Sequence, residues 1–418
     1  MKSLKVLIAC VCISLPGFKI YCQSFRIPAE WEKQEKVWLT WFGQERRDSV
    51  TCRVMEALQP TTRLTLNVQS DSMKMAAIKY MENYKVNTAD VVFTIDPYID
   101  FFTRDYIFFV KNPDNKLQVV CFDYSAYGAF PGIYGMPMPE DEKIFGKWDE
   151  RIAEKLNLPM INSEYVFEGG GIEANGSGTI LSIKEMALQR NPGKTIPEIE
   201  MELKRTLGAT KVIWLEKGLA EDKLFPHFGP FYKNYFGGGA NMHIDELCRF
   251  VDENTVLLPY ITEEDKNKSP VDSINYPMLE ANFKILQNAT TATGKKLKII
   301  RIPMPEIEQL KFTLTIETSQ AARFKDFGLL AGDTIFRVPA ASYCNFFISN
   351  DVVLIPKYWK PGMTATQKVK DEEVLNTFTQ IFPGKKIIQI YTLQVNRGGG
   401  GIHCMTHELP ISEKSILQ

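Results

Sequence analysis

Gly398-Gly399-Gly400-Gly401-Ile402-His403-Cys404-Met405-Thr406-His407-Glu408 is the stretch on which the reading of this chain turns. A structural cysteine usually sits inside an apolar run, as Cys248 and Cys344 do. Cys404 instead follows a flexible glycine turn and has polar neighbours, the accessible setting that a reactive thiolate needs. Taken alone, the stretch suits a nucleophile and an inert thiol equally well. The cysteine count adds weight. Of eight cysteines, three (Cys10, Cys12, Cys22) fall in the first 24 residues, and the five that remain are an odd number. None forms a CxxC pair, and with only four histidines in the chain a structural zinc site is not expected. An odd cysteine in an exported chain points to at least one free thiol.

Two other glycine clusters also stand beside reactive side chains. Phe167-Glu168-Gly169-Gly170-Gly171 follows a strand-like run, and Gly237-Gly238-Gly239 leads into His243-Ile244-Asp245. Neither matches a P-loop or a dinucleotide fingerprint. Read as an extended segment, His243 and Asp245 point to one side, because strand side chains repeat every two residues. Arg104-Asp105 follows the aromatic pair Phe101-Phe102, and an acid in such surroundings needs a partner. Each of these has a bland reading as a surface histidine, a structural ion pair or a solvated acid.

The rest of the 418 residues frames this set. Strand-like runs at residues 37–41, 63–68, 91–95, 106–110, 117–122, 179–183, 211–214, 255–259, 298–302, 344–348, 352–355 and 386–389 alternate with helical patterns. The helices are expected at 71–84, 147–156, 196–207, 278–289 and 369–382, and the polar stretch Glu263–Ser273 as a mobile surface loop. Interleaving to the end is an α/β pattern without a linker, so one catalytic domain is expected over residues 25–418. A net charge of -1 gives no field to steer nucleic acid or an anionic membrane. Lys2 and Lys5, the apolar run Val6–Leu15, the break at Pro16-Gly17 and Cys22-Gln23-Ser24 read as a signal peptide over residues 1–24. The mature chain is then exported, periplasmic or secreted, and not held in the membrane. Leu7-Ile8-Ala9-Cys10 fits a lipidation box only loosely and leaves almost no apolar segment before it.

One cysteine and one histidine with an amide partner would suit an amidase. Several carboxylates around the pair suit a cationic electrophile instead, since a planar guanidinium offers two parallel hydrogen bonds to each carboxylate. Phe25-Arg26-Ile27-Pro28-Ala29-Glu30-Trp31-Glu32, Trp38-Leu39-Thr40-Trp41, Thr103-Arg104-Asp105, Phe167-Glu168-Gly169-Gly170, His243-Ile244-Asp245-Glu246, Ala341-Ser342-Tyr343-Cys344-Asn345 and Gly398–Thr406 occur in this order. Over residues 25–412 the chain thereby resembles the agmatine deiminase and Porphyromonas-type peptidylarginine deiminase family. The resemblance implies the pentein fold, a five-bladed pseudo-symmetric α/β propeller with the site at its centre. It implies Cys404 as nucleophile, His243 as general acid and base, Asp105 and Asp245 as the grip on the guanidinium, and Glu168 as support for the histidine or substrate. It further implies Trp31, Asp123, Asn345, Gly400 and Gly401 around the substrate, with no metal and no cofactor.

The substrate within that family is either agmatine, or a related small guanidine, or arginine in a peptide. A non-catalytic binder of cationic ligands and a generic cysteine amidase are the readings from other classes. The opening segment and the glycine-rich ending favour the small guanidine. Export and Thr406-His407-Glu408 favour the peptide, yet residues 122–137 hold no Arg or Lys to clamp a substrate carboxylate. Asp123, Tyr124, Tyr127 and Tyr134 there suit an ammonium better. The aromatic stretch at 221–239, with Phe225, Phe228, Phe231, Tyr232, Tyr235 and Phe236, reads either as a packed surface segment or as a lid.

Overall fold

The computed structural model describes residues 25–130 and 137–412. The expected leader at 1–24 and Tyr134 lie outside the described residues. Five sheets share one construction, a short first strand antiparallel to a second, which pairs in parallel with a third. They comprise Phe108–Lys111, Leu117–Asp123 and Met160–Val166, then Glu173–Ala174, Thr179–Ile183 and Lys211–Leu215, then Arg249–Phe250, Thr255–Tyr260 and Lys298–Pro303, then Phe347–Ile348, Val352–Lys357 and Lys386–Tyr391. The remaining sheet joins the two ends of the chain. His407–Pro410 runs antiparallel to Gln34–Thr40, which pairs in parallel with Arg63–Val68 and through it with Val91–Ile95. A parallel pair needs a crossover, and helices supply it in every sheet. They include Glu45–Leu58, Trp148–Leu156, Ile196–Leu207, Pro270–Asn288 and Ala365–Ile381. This is the five-bladed α/β propeller expected for the family.

Local sequence explains the elements where it was most legible. Thr195 and Glu198 form a capping box, Pro197 stands in the first turn, and Gly208 ends the helix Ile196–Leu207 at φ 67°. That helix buries Ile199, Leu203 and Leu207, the face its spacing predicts. Other bounds differ for identifiable reasons. The strand expected from Tyr106 starts at Phe108, because Thr103–Tyr106 closes into a 3-10 turn. The strand expected from Cys344 is cut to Phe347–Ile348, because the Ser342 carbonyl and hydroxyl tie back Asn345 N and Cys344 N. The helix expected from residue 278 begins at Pro270, where the Ser269 hydroxyl accepts from Asp272 N. Part of the expected mobile loop is therefore helix.

A sixth sheet, ordered Pro230–Tyr232, Tyr235–Gly238, Thr334–Pro339 and Phe312–Thr315, is inserted beside the blades. Phe236 is buried with Ile316, Phe324 and Ile335, and Phe225 packs on them. The aromatic residues Phe225 and Phe236 thus build a small core of their own, so packing accounts for them. The same sheet delivers Gly238 and Gly239 to the centre of the ring, where Gly399 approaches them. No helix among the described residues is long and apolar enough to cross a membrane.

Candidate active site

In each blade the turn just before the short first strand carries one part of the site. Thr103–Tyr106 holds Asp105, the turn Gly169–Gly171 follows Glu168, and His243 leads into the turn Ile244–Glu246. Ser342–Asn345 holds Asn345, and the turn after Gly401 holds Cys404. Repetition of one fold unit thus brings together five side chains from positions 105 to 404. His243 and Asp245 do not share an extended strand as expected. Asp245 lies in a 3-10 turn, and the pair meet the centre because that turn ends their blade's approach loop.

Cys404 is 2% exposed and His243 not at all. The Asn345 amide donates to Cys404 Sγ at 3.1 Å, and Sγ lies 3.4 Å from Asp245 Oδ2. Asn345 Oδ1 also accepts from His403 N at 2.9 Å, so one amide fixes both the thiol and its loop. His243 Nδ1 stands 3.6 Å from Asp105 Oδ1, and Nε2 stands 3.5 Å from Glu168 Oε2. These are ion-pair distances, and neither ring nitrogen makes a hydrogen bond among the described residues. Asp105 accepts from Gly170 N at 3.0 Å and from the Tyr127 hydroxyl at 3.2 Å. Gly170 has to be glycine, since a Cβ there would lie 2.5 Å from His243 Nδ1.

The position of His243 is held from behind. Asp222 Oδ2 accepts from His243 N at 2.7 Å, and Oδ1 accepts from Ala240 N at 2.7 Å. Asn241 and Met242, just before it, both take left-handed backbone (φ 70° and 73°), which non-glycine residues adopt only when the surroundings impose it. Arg190 helps impose it. Its Nη2 donates to the carbonyls of Ala240 and Asn241 at 3.1 Å each, while Nε meets both oxygens of Glu168 at 2.9 and 3.1 Å.

Charge in this buried space is set by neighbours. Burial works against ionised Glu168, yet Arg190 and then His243 outweigh it and hold the carboxyl down to about 2. Burial disfavours the His243 imidazolium as well, but Asp105 and Glu168 outweigh it and lift the group to about 9. Burial pushes Asp105 up to about 6 against the pull of His243. Burial, then Asp245, Glu246 and Asp105, push the Cys404 thiol well above its ordinary range. This corrects the expectation of an accessible thiolate: the nucleophile candidate is enclosed and, with carboxylates around it, held as a thiol. Asp245 Oδ1 is buried and has no hydrogen-bond partner among the described residues. The set is rich in negative charge, and a planar cation between Asp105 and Asp245 would satisfy it while drawing the proton off sulfur.

Residues that sequence reasoning did not assign carry part of this geometry. His403 bridges two carboxylates, Nδ1 to Asp245 Oδ2 at 2.7 Å and Nε2 to Glu30 Oε2 at 2.8 Å. Glu30 in turn meets Arg249 at 3.0 Å, and Arg249 meets Glu173 at 2.6 Å. In the opening segment it is therefore Glu30 that reaches the centre. Trp31, expected at the substrate, packs partly buried against the main apolar core. Asp123, also expected there, is exposed at the end of its strand and opens on a cavity of about 560 Å³. Arg190 and Gln189 are part of that cavity's wall, and Arg190 with its partner Glu168 stands between it and His243. Gly400 and Gly401 make room for the site itself, because a Cβ would meet Cys404 Sγ at 2.7 Å and Asn345 Oδ1 at 2.5 Å respectively. Among the described residues, no three His, Cys, Asp or Glu side chains form a cluster that would hold a metal ion.

Known proteins share this architecture. The agmatine deiminase of Enterococcus faecalis superposes with a TM-score of 0.70 at 25% identity, covering 93% of this chain and 96% of its own. A variant of the agmatine deiminase from C. jejuni with substrate bound has a TM-score of 0.66 at 20% identity, covering 93% and 97%. The family described as Porphyromonas-type peptidyl-arginine deiminase matches residues 26–410. With nearly the whole chain matched and the fold shared, this protein belongs to the Porphyromonas-type peptidyl-arginine deiminase family.

Proposed function

We propose that this chain is a hydrolase of guanidino C–N bonds, converting agmatine or a related small guanidine to the ureido product and ammonia. For agmatine the product is N-carbamoylputrescine. The observation that carries this reading is the enclosed Cys404 thiol among carboxylates, a setting in which a bound cation supplies the charge that ionisation of sulfur requires.

In this mechanism Asp105 and Asp245 take the two edges of the guanidinium and place its carbon over Cys404 Sγ. With the cation bound, Cys404 releases its proton to solvent, and the thiolate adds to that carbon, forming a C–S bond. His243, protonated at neutral pH, gives its proton to one nitrogen, and the C–N bond breaks with release of ammonia. An amidino-thioether on Cys404 remains. His243, now neutral, takes a proton from water as the water oxygen adds to the same carbon. The C–S bond then breaks, the remaining hydroxyl proton passes to the departing sulfur, and the substituted urea leaves with Cys404 restored as a thiol. Glu168 keeps His243 charged and oriented, and Asn345 donates to the sulfur throughout. Ammonia and ureido product should form from agmatine and not in Cys404→Ser protein. Cleavage of a peptide chain in place of deimination would instead make the protein an amidase.

Export is proposed from the leader sequence at 1–24 alone. A cell-envelope or medium fraction whose protein begins near Phe25 would support it, and a cytoplasmic chain retaining residues 1–24 would refute it.

A further inference from the structure

Residues 122–137 supply no cation for a substrate carboxylate, yet the fold gathers three from elsewhere. Arg47 from the helix Glu45–Leu58 lays its guanidinium on Gly398, where a Cβ would fall 2.4 Å from Nη2. Arg337, from the sixth sheet, lies along Gly238, where a Cβ would fall 2.9 Å from Nε. Arg397 directly precedes the glycine loop, and Arg337 and Arg397 both stack on Phe312, at 5.8 and 5.0 Å. Arg47 stacks on Phe101 at 5.2 Å. None of the three makes an ion pair among the described residues, and Nε of Arg337 and of Arg397 is buried without a hydrogen-bond partner. Asp48 and Asp100, the acids whose fields reach Arg47, are engaged by Phe42 N at 3.4 Å and by the Tyr106 hydroxyl at 3.0 Å.

Like charges brought together without an ion-pair partner oppose one another, and burial with Arg47 nearby lowers Arg337 to about 10. Aromatic rings hold the planar groups in place without neutralising them, an arrangement suited to an anion that arrives with a ligand. The cluster and the thiol lie at opposite ends of one loop. Arg47 packs on Gly398, while the Cys404 thiol occupies the space beside Gly400, two residues on and at most about 7 Å along the chain. The loop therefore brings Arg47 and the thiol close enough for a small guanidino acid to extend from one toward the other.

We infer that Arg47, Arg337 and Arg397 form an anion subsite that receives the carboxylate of a small guanidino acid whose guanidinium lies at Cys404. The inference rests on the deiminase reading and selects within it an acid-bearing guanidine over an amine-bearing one. Guanidinobutanoate and agmatine make the discriminating pair, since they differ in the charge of the tail. The wild-type chain should turn over guanidinobutanoate with at least tenfold higher kcat/KM than agmatine. Arg47→Gln with Arg337→Gln should collapse that ratio at least tenfold, and the Lys variants should restore most of it. A merely structural role would lower both substrates together and leave the ratio where it was. Preference for agmatine in the wild type, unchanged in the variants, would overturn the inference. If the folded wild type turns over neither compound, the deiminase reading has failed. Calorimetric binding of the same two compounds to Cys404→Ser protein then still decides on the subsite, tighter binding of the acid supporting it and weaker binding overturning it.

Discussion

Arg190→Met removes the counter-charge of Glu168 while filling most of the volume. In the folded protein Glu168 is lowered from 4.5 to about 2. At ~1.4 kcal/mol per pH unit, ionised Glu168 therefore adds about 3 kcal/mol of stability. Loss of two hydrogen bonds to the carbonyls of Ala240 and Asn241 adds about 1 kcal/mol each. The sum, about 5 kcal/mol, agrees with the cost of breaking a buried ion pair. Urea unfolding at neutral pH should show this loss as a lower midpoint with the slope retained. The pH dependence has a definite sign. A carboxyl depressed on folding contributes fully above its unfolded value of 4.5, and the contribution is lost as pH falls toward 2. The gap between wild type and variant should accordingly narrow over that interval. At alkaline pH Glu168 stays ionised in the variant, and with Arg190 gone its pull on His243, held at about 9 by Asp105 and Glu168, is no longer opposed by that cation. The alkaline limb of kcat/KM should therefore move to higher pH in the variant. A variant within about 1 kcal/mol of wild type, with its alkaline limb unmoved, would refute the reasoning from charge.

Two further outcomes follow from the geometry. Gly170→Ala places a Cβ 2.5 Å from His243 Nδ1, 3.0 Å from Asp245 Oδ2 and 3.1 Å from Asp105 Oδ1. It should cost on the order of a hundredfold in kcat/KM by displacing these groups and, as overpacking of a buried site, also lower the melting temperature by several degrees. Alkylation of Cys404 by iodoacetamide should be slower at neutral pH than that of a free thiol and still rise beyond the range where an ordinary thiol levels off, since its ionisation is displaced upward by burial and by Asp245. Peptide mapping reads that rate, and a plateau below the ordinary thiol range would contradict it.

Much of the centre was legible because its residues sit beside turns that the sequence marks. Glycine clusters pointed to Glu168, His243 and Cys404, and the family's motif order pointed to Asp105, Asp245 and Asn345. The ring itself was not legible, because each repeat unit shares only its topology. The short first strands, such as Glu173–Ala174 and Arg249–Phe250, are only two residues long and leave no periodicity to read. Arg190 had no local signal at all. It closes the helix Lys184–Arg190, where a basic residue is ordinary, and only the fold sets it against Glu168. In the opening segment Trp31 packs against the apolar core, and the buried carboxylate of Glu30 beside it makes the contact with His403, a role that an acid beside an aromatic residue does not announce. The arginine cluster was invisible for a similar reason, since Arg47, Arg337 and Arg397 come together only through three different elements.

The most direct measurement is the intact mass of the Cys404 peptide after acid quenching during turnover of a small guanidine. The mechanism predicts an adduct equal to the substrate less ammonia, confined to the peptide carrying Cys404, decaying as product accumulates and absent from Cys404→Ser protein. Product formation with no adduct at any quench time, or turnover retained in Cys404→Ser protein, would contradict a covalent role for Cys404.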